Sequence, residues 1–375
     1  MIYAISYAND QYKKAQELNL KTALTYGADK VIVYSPEDID RHFYEKNKEV
    51  LMCHRGNGYW LWKPYIIKKT LDKMEYGDYL IYADSGAYYI NDIHYLIRCM
   101  EQQMTDIMLF SLPKSYLEKI WSKRDAFIIM ECDSLEYTDT PQRLAGFIVI
   151  KKTKFVYEFI EEWLFYAQDK RIITDQKNCM GKDNYPGFRE NRNDQTALSL
   201  LSKKYHLQCF RNPSCITADN DKEILEKSNY PKIFHLHRIG KVESVEHMEG
   251  IYNGYLDKLA KLWKEDKNML LYGAGNRARK IISYLKSINK CVSACIVSDE
   301  QIIIYPEIEG IKVYHLSELP YLVENSEVIV TIDFNEVKEQ LHKAKFPFVC
   351  IEPEIWNALR YFDEQKEGML LVERK

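Results

Sequence analysis

The sequence predicts an α/β fold with a mixed, mostly parallel sheet flanked by helices, followed by a second, smaller α/β domain. Short apolar runs alternate with longer amphipathic stretches, as parallel strands joined by crossover helices require. The same alternation begins again near Asn268, after a charged stretch. The chain of 375 residues is also longer than a domain built around one hydrophobic core usually is, which favours two domains.

The overall composition is that of an ordinary globular protein. Hydrophobic residues make up 46% of the chain and charged residues 29%. The formal net charge of -3 gives no electrostatic reason to expect a nucleic-acid partner. An anionic ligand must therefore be bound by a local site and not by a general basic field.

Cysteine usage and the amino terminus indicate a cytoplasmic protein. The 9 cysteines are irregularly spaced and form no Cys-x-x-Cys pair, which is typical of reduced thiols and not of a disulfide frame or zinc site. The first residues, MIYAISYAND, lack the basic and long apolar regions of a signal peptide. No segment has the roughly 18–20 apolar residues that span a bilayer, which leaves peripheral association with the inner membrane face as an option.

The first 241 residues alternate between predicted strands and helices. The predicted strands are Ile2–Tyr7, Val31–Tyr34, Asp78–Ala83, Ile107–Phe110, Ala126–Met130 and Gly146–Ile150. The predicted helices are 11–26, Tyr65–Met74, Lys154–Gln168 and one that begins at Asn193 or Asp194. Residues 169–193 predict a loop, and Lys232–Lys241 predicts a strand followed by a turn. We therefore expect a first domain over residues 1–241.

The remaining residues predict a linking helix over 242–267 and a second α/β domain over 268–375. The predicted elements of that domain are strand Met269–Tyr272, helix Arg279–Ile288, strands Val292–Val297, Ile311–Tyr314 and Val328–Ile332 with a helix after each of the last two, and strand Phe348–Ile351. About 100 residues suffice for one small domain of this kind.

Asp84 is the first candidate functional residue, because it directly follows a buried strand. In open α/β sheets, ligands bind beyond the carboxyl ends of the strands, so a carboxylate there faces a crevice. Gly86 lets the backbone approach a ligand closely. Asp, Ser and Gly are also common in plain turns, so the segment Asp84-Ser85-Gly86 taken alone does not establish a site.

Several segments together make the first domain resemble the GT-A glycosyltransferases. The four main segments occur in the expected order, and FHLHRIGK is a weaker fifth match. They are HRGNGYWLWKPYIIKKTL (54–71), GDYLIYADSG (77–86), QRLAGFIVIKK (142–152), RNDQTALSLL (192–201) and FHLHRIGK (234–241). With the first strand they spread over nearly all of residues 1–241. The resemblance implies a nucleotide-sugar donor and a glycan acceptor.

The resemblance also implies a metal site whose ligands are incomplete in this sequence. In that family an Asp-x-Asp motif holds a divalent cation against the donor diphosphate, and Mn²⁺ or Mg²⁺ commonly bridge carboxylates and phosphates. Asp84 matches the first aspartate, but Gly86 occupies the second position. His235 or His237 could complete the metal shell, and ordinary strand histidines are an equal alternative. Metal dependence therefore stays open.

Basic residues offer a second way to bind the diphosphate. Arg238 and Lys241 could neutralise it without a metal. Arg55 and Lys63 lie in the HRGNGYWLWKP segment just ahead of a predicted helix, whose amino terminus favours anions. Trp60 of the same segment could stack on the donor or acceptor, and a hydrophobic plug under the sheet is the alternative.

The other expected donor contacts follow from the resemblance. The end of the first strand is the family's usual nucleotide pocket, and Tyr7, Ala8 and Asn9 fall there. Ser85 belongs to the turn after the buried strand. Gly146 matches a small residue that leaves room for the donor sugar, and a bulge in a strand is its alternative explanation.

Asp194 and Gln195 match the family's Asp-Gln pair, which faces the donor or acceptor from the start of a helix. If the enzyme inverts the sugar's configuration, we expect Asp194 to be the base that deprotonates the acceptor hydroxyl. If the enzyme retains the configuration, Asp194 would instead position or stabilise the reacting centre. Simple capping of the helix by Asp194 is compatible with both roles.

The second domain carries a glycine-rich turn between a strand and a helix. GAGNRA, with Gly273 and Gly275, is a GxGxxA form of the Rossmann dinucleotide-binding fingerprint, and Asp299 lies near the position that binds a ribose. The turn also serves helix–strand packing in modules with no redox role. We therefore expect a Rossmann-like accessory nucleotide-binding or docking module, and not an NAD(P) cofactor.

The leading functional prediction is a glycosyltransferase that uses a nucleotide sugar, most simply a UDP-sugar. Its acceptor would be a glycan or lipid-linked glycan in capsule or lipooligosaccharide synthesis. The alternatives are an NAD(P)-binding oxidoreductase centred on the second domain and a non-catalytic scaffold. The oxidoreductase alternative leaves Asp84 and Asp194 unexplained.

Overall fold

The computed structural model describes residues 1–215, 221–319, 325–331 and 335–372. It divides into two compact units, Met1–Glu243 and Ser244–Lys375. Each unit has a sheet and a hydrophobic core of its own. Within the described residues, no helix is both long enough and apolar enough to cross a membrane.

The first unit contains eight strands, thirteen α-helices and the 3-10 helix Pro36–Asp38 within its described residues. The strands are β1 Ile2–Tyr7, β2 Lys30–Tyr34, β3 Tyr79–Ala83, β4 Ala87–Tyr89, β5 Ile107–Ser111, β6 Arg143–Lys151, β7 Cys209–Phe210 and β8 Phe234–Leu236. The helices are α1 Lys13–Thr25, α2 Arg41–Lys46, α3 Lys48–Leu51, α4 Gly56–Tyr59, α5 Trp62–Leu71, α6 His94–Gln102, α7 Glu118–Trp121, α8 Arg124–Ile129, α9 Leu135–Thr138, α10 Lys154–Ala167, α11 Lys170–Ile173, α12 Asp194–Lys204 and α13 Lys222–Lys227.

The main sheet of the first unit has the strand order β2-β1-β3-β6-β5-β7. β1 pairs in parallel with β2 and β3, and β5 pairs in parallel with β7. β6 lies antiparallel between β3 and β5. The other five strands of the sheet all run in the same direction. β4 and β8 form a separate antiparallel pair. The predicted mixed, mostly parallel α/β fold is confirmed.

Alternate residues of the strands bury their side chains on opposite faces of this sheet, as the period of a strand dictates. In β3, Leu80 and Tyr82 join the core on the face that α5, α10 and α12 cover. Ile81 and Ala83 join the core on the other face, with residues of α1 and α6. Because both faces are covered, the strands consist almost entirely of apolar and aromatic residues.

Two of the sequence predictions for the first unit are wrong in detail. Ala126–Met130 was expected to be a strand, but the chain forms helix α8 there. A short apolar run fits a buried helix as well as a buried strand, and α8 packs against α11 and α12. The expected loop 169–193 contains the short helix α11, which Asp169 caps by accepting a hydrogen bond from the backbone N–H of Arg171.

The second unit is a smaller α/β layer structure. Its strands are β9 Asn268–Tyr272, β10 Ala294–Val297, β11 Glu307–Ile308, β12 Ile311–His315, β13 Ser326–Val330 and β14 Phe348–Cys350, in the order β11-β12-β10-β9-β13-β14. Its helices are α14 Val245–Leu262, α15 Asn276–Ser287, α16 Asn335–Lys343 and α17 Pro353–Val372. All neighbouring strands pair in parallel except β11 with β12.

One helix of the second unit agrees with the sequence predictions and another was not expected. The stretch 242–267, expected to be a linking helix, forms helix α14, which packs on α17 inside this unit. α17 itself was not predicted, because its mixture of apolar and charged residues has only a weak helical periodicity. A helix was also expected somewhere between β12 and β13. Residues 320–324 of that stretch lie outside the described part of the chain, and the described residues before them form the 3-10 helix Leu316–Glu318.

Candidate active site

The candidate site lies at the edge of the main sheet where β1, β3 and β5 end. Because β6 runs in the opposite direction, its amino-terminal end reaches the same edge. β3 marks the change from parallel to antiparallel pairing in the sheet. Crevices for ligands form at such edges in α/β proteins, and Asp84 is the first residue after β3.

Asp84 is held by contacts that leave part of its carboxylate accessible. Its backbone N–H donates to the carbonyl of Gly146 (2.9 Å), and its carbonyl accepts from the N–H of Ala87 (3.0 Å). The hydroxyl of Tyr82 donates to Oδ1 at 2.6 Å. The side chain of Asp84 remains 39% exposed. The carboxylate therefore has a fixed orientation and stays partly open to solvent.

Lys63 lies beneath Asp84 and is almost completely buried, with 3% of its side chain exposed. Its Nζ lies 3.4 Å from Oδ1 of Asp84, 2.9 Å from Oδ2 of Asp194 and 3.2 Å from the carbonyl oxygen of Ala145. Burial lowers the pKa of Lys63, but the carboxylates of Asp194 and Asp84 more than offset this, so the pKa lies above its usual value. The ammonium group therefore stays charged. Because it is buried and already contacts three protein oxygens, it is not available to contact a ligand.

Asp194 lies on the inner side of Lys63. Only 5% of its side chain is exposed, in contrast to the partly open Asp84. Burial raises the pKa of Asp194 to about 6, against the lowering effect of Lys63. The indole N–H of Trp163 donates to its carbonyl oxygen (3.2 Å), which fixes the start of α12. Asp194 thus contacts Lys63 and has little access to a substrate.

Gln195 is occupied by contacts with the protein at both ends of its amide. Its Oε1 accepts from the backbone N–H of Ala145 (3.2 Å), and its Nε2 donates to Oε1 of Gln142 (2.8 Å). Gln142 in turn donates to the hydroxyl of Ser122 (2.9 Å). The geometry is that of a residue that positions β6, because Ala145 is bonded to Gln195 by its N–H and to Lys63 by its carbonyl.

Gly146 leaves room for the carboxylate of Asp84. A Cβ atom at this position would lie 3.0 Å from Oδ2 of Asp84. This space was expected to hold the donor sugar, and in the structure the side chain of Asp84 borders it. The pairing of β5 with β6 is irregular between Met108 and Phe110, opposite this part of β6. Such irregularities change the direction of a strand next to functional sites.

Helix α4 and the residue after it form a left-handed turn ahead of α5. Every residue from Gly56 to Trp60 has a positive φ: 58°, 52°, 96°, 52° and 61°. Left-handed conformation costs roughly 1–2 kcal/mol for each residue with a side chain. The indole N–H of Trp62 donates to the carbonyl of Gly56 (3.0 Å), which ties this turn to the start of α5. Trp60 is half-buried against the core and does not stand free in the site.

Arg55 precedes this turn and pairs with carboxylates of the segment 169–193. Its guanidinium lies 3.3 Å from Asp175 and 3.0 Å from Glu190, and it also donates to the carbonyl of Asn191 (3.4 Å). These ion pairs occupy the side chain that the sequence analysis assigned to the donor. Arg55 therefore joins two segments of the chain at this edge.

The end of β1 holds the residues expected to bind the nucleotide. Tyr7 is buried and stacks on Trp62 with ring centres 3.8 Å apart, so its ring belongs to the core. Ala8 is buried and donates its N–H to the carbonyl of Tyr34 (3.0 Å). Oδ1 of Asn9 is buried and has no hydrogen-bond donor among the described residues. Ser85 is buried in the turn after β3.

The histidines expected as metal ligands lie on β8 and just after it. His235 is buried, with Nδ1 3.5 Å from Nζ of Lys232. His237 is buried, and burial lowers its pKa to about 3. Within the described ranges, no three His, Cys, Asp or Glu side chains come close enough to hold a metal ion. The described side chains thus offer one partly exposed carboxylate, that of Asp84, and no complete ligand set for a divalent cation.

Arg238 and Lys241 are exposed and lie on the loop that follows β8. The backbone of this loop contacts the turn after Asp84, since the N–H groups of His237 and Arg238 both donate to the carbonyl of Gly86 at 2.8 Å. The loop therefore brings two basic side chains to the same edge as Asp84.

The glycine-rich turn of the second unit has the expected strand–turn–helix context. Gly273 follows β9 with a φ of 113° and donates its N–H to the carbonyl of Ile296 (2.8 Å). A Cβ at Gly275 would meet no atom within 4 Å. Asp299 accepts a hydrogen bond from the N–H of Ser317 (2.9 Å), which lowers its pKa and gives it a structural partner. Its assigned role with a ribose stays a prediction.

Tyr82 and Gln142 make contacts with Asp84 and Gln195 that were not expected from the sequence. Tyr82 lies two residues before Asp84, and residues two apart on a strand point to the same face. This spacing could have predicted the contact between the two side chains. Gln142 lies far from Gln195 in the sequence and carried no such signal.

No family model and no curated protein matches the chain. Mouse xyloside xylosyltransferase 1 is similar at 11% identity and a TM-score of 0.35, over 56% of this chain and 85% of that one. The galactosyltransferase LgtC, in complex with donor and acceptor sugar analogs, is similar at 12% identity and a TM-score of 0.36, over 62% and 85%. The glycosyltransferase GlyE from Streptococcus pneumoniae TIGR4 is similar at 13% identity and a TM-score of 0.31, over 93% and 90%. At these scores the similarities establish neither the family nor the activity of this chain.

Proposed function

We propose that this chain is a glycosyltransferase that moves a sugar from a nucleotide-sugar donor, UDP-linked, to a glycan or lipid-linked glycan acceptor. Capsule or lipooligosaccharide synthesis would supply such an acceptor at the inner face of the membrane, with the protein in the cytoplasm. The proposal combines the resemblance of five sequence segments to GT-A enzymes with the geometry around Asp84.

The observation that carries the proposal is the fixed and partly exposed carboxylate of Asp84. It follows a central strand at the ligand-binding edge of the sheet, and Tyr82 and Lys63 hold its Oδ1. Glycosyl transfer proceeds through a transition state with positive charge on the sugar ring. A carboxylate that is already oriented stabilises that charge without reorganisation.

The group transfer requires one bond to form and one to break at the anomeric carbon of the donor. The oxygen of the acceptor hydroxyl bonds to that carbon, and the nucleoside diphosphate leaves with the electron pair of the broken carbon–oxygen bond. The hydroxyl proton passes to the carboxylate of Asp84. We assign this proton to Asp84 in place of Asp194, because Asp194 is buried and lies on the inner side of Lys63.

The end of β1 supports a nucleotide with a hydrogen-bond donor on its base. Oδ1 of Asn9 is a buried acceptor that lacks a donor within the described residues. A buried polar group without a partner is costly, and a base N–H would satisfy it. The ring N–H of uracil is such a donor, in agreement with a UDP-linked sugar.

A thermal-shift screen of UDP-, GDP-, CMP- and dTDP-sugars tests this proposal. We expect a UDP-sugar to raise the melting temperature, because a ligand that binds only the folded state stabilises it. The product of the stabilising donor with glycan acceptors would then be identified by mass spectrometry. A shift with NAD(H) and with none of the sugar nucleotides would favour the oxidoreductase alternative, and no shift at all would favour a scaffold.

A further inference from the structure

Gly86 occupies the position of the second aspartate in the Asp-x-Asp pattern, and the backbone of Arg238 packs tightly against it. A Cβ at Gly86 would lie 3.0 Å from Cα and 3.3 Å from the backbone nitrogen of Arg238. The carbonyl of Gly86 also accepts hydrogen bonds from the loop that contains Arg238. A side chain at position 86 would therefore require that backbone to shift by a few tenths of an ångström, which disfavours a second metal-binding carboxylate there.

The remaining aspartate already has a cation beside it. The ammonium group of Lys63 lies 3.4 Å from Oδ1 of Asp84, and the Tyr82 hydroxyl donates to the same oxygen. Lys63 is enclosed by protein and cannot move away into solvent. A divalent ion on either oxygen of this carboxylate would be repelled by a fixed positive charge at short range.

The Nδ1 atom of His237 is engaged in a hydrogen bond, and its other ring nitrogen, Nε2, is buried without a hydrogen-bond partner among the described residues. The backbone N–H of Ile239 donates to Nδ1 of His237 at 3.1 Å, so Nδ1 is an acceptor and carries no proton. The ring proton must then be on Nε2. A metal ligand needs an unprotonated nitrogen, so Nε2 of His237 does not meet this requirement.

The same loop offers the charge that a diphosphate needs. Arg238 and Lys241 are exposed, and the backbone of Arg238 rests on the turn that follows Asp84. A guanidinium is always protonated and matches the geometry of phosphate oxygens. We infer that, in the proposed glycosyltransferase, Arg238 and Lys241 bind the donor diphosphate and that no divalent cation takes part. This inference rests on the proposed function and concerns how the donor is held.

Calorimetric titration of the full-length chain with UDP, GDP and dTDP tests this inference. Each nucleotide would be titrated in excess EDTA and in excess Mn²⁺. We expect the nucleotide that binds to have dissociation constants within about threefold of each other under the two conditions. Arg238→Met and Lys241→Met should each weaken binding by about tenfold or more in EDTA, the loss typical of a charge-assisted hydrogen bond.

Lys73→Met is the matched control. Lys73 is exposed and follows the opposite end of α5, so the same loss of charge should leave nucleotide binding unchanged. Circular dichroism would check that each variant is folded. Binding that requires Mn²⁺ would overturn this inference and leave the glycosyltransferase proposal intact. Metal-free binding that Arg238→Met and Lys241→Met do not weaken would overturn the assignment to this loop, and no binding under either condition would contradict both proposals.

Discussion

Single residues set the electrostatics of this site through one buried cation and two carboxylates. Lys63 lies between Asp84, which is partly exposed, and Asp194, which is buried. Removing one partner of such a group leaves an uncompensated buried charge, which typically costs about 3–5 kcal/mol. The arrangement therefore keeps the accessible carboxylate in one orientation.

The ionisation of Asp194 leads to a prediction about pH. Burial raises its pKa to about 6, so the carboxylate gains a proton as the pH falls through that value. Lys63 then has one negatively charged partner in place of two, and the interaction between Lys63 and Asp84 that orients the Asp84 carboxylate is altered. We expect the transfer rate to fall below about pH 6 in the native protein and this limb to be absent in Asp194→Asn. Rates measured from pH 5 to pH 8 check this, and an identical limb in the variant would contradict it.

Replacing Gly146 should separate activity from stability. In Gly146→Ala the new methyl group would lie 3.0 Å from Oδ2 of Asp84, and the carboxylate must turn away. We expect the transfer rate to drop at least about tenfold, because small misplacements of a reacting group are costly. The melting temperature should change little, since the flexible end of one side chain gives way.

Gly254→Ala is the control for that substitution. Gly254 is an exposed glycine of α14, and a Cβ there meets no atom within 4 Å. Its activity should equal that of the native protein. A Gly146→Ala variant with native activity would show that Asp84 Oδ2 has no part in the reaction.

At the scale of elements, the left-handed turn from Gly56 to Trp60 is the most constrained segment of the site. Gly58 has a φ of 96°, and a Cβ there would lie 2.8 Å from Cα of Leu51. We expect Gly58→Ala to lower the free energy of unfolding by about 1–3 kcal/mol, because both the conformation and the contact disfavour a side chain. Urea unfolding measures this change. A variant as stable as the native protein would contradict the left-handed conformation of Gly58 and its close contact with Leu51.

The elements that could be predicted from sequence are those with a strong period or a sharp boundary. β1, α1, β3 and α12 have clear apolar patterns and polar ends. β4, β7 and β8 are only two or three residues long and depend on pairing with distant strands, so local patterns do not reveal them. α8 was mistaken for a strand because its short apolar run is compatible with both structures.

The contacts of the site could be predicted only in part. Asp84 is a candidate because it follows a buried strand, and Asp194 is one because it matches the Asp-Gln pair of the GT-A enzymes; both assignments stay predictions. That Lys63 contacts both carboxylates and not a phosphate depends on the burial of three segments that are far apart in the sequence. The role of Gly146 and the ion pairs of Arg55 likewise depend on tertiary packing.

At the scale of the whole molecule, the two units have separate cores and should unfold separately. Residues of β1, β3, β5 and β6 build the core of the first unit, and residues of β9, β10 and β13 build that of the second. We expect differential scanning calorimetry to show two transitions. Gly58→Ala should lower one of them, and Gly254→Ala should raise or preserve the other, because alanine is favoured over glycine in a helix.

The same calorimetric measurement with a bound donor would show which unit carries the binding site. The nucleotide sugar should raise only the transition that Gly58→Ala lowers, since the candidate site belongs to the first unit. A shift confined to the other transition would place the ligand on the second unit instead.

The comparison that tests the central claim most directly is the rate of nucleoside diphosphate release from the stabilising donor by the native protein and by Asp84→Asn. The variant keeps the size of the side chain but removes its charge and its ability to take a proton. We expect its rate to be lower by at least about a hundredfold, as for the loss of a general base, with an unchanged fold. A rate within about threefold of the native value would contradict the role of Asp84 and with it the proposed mechanism.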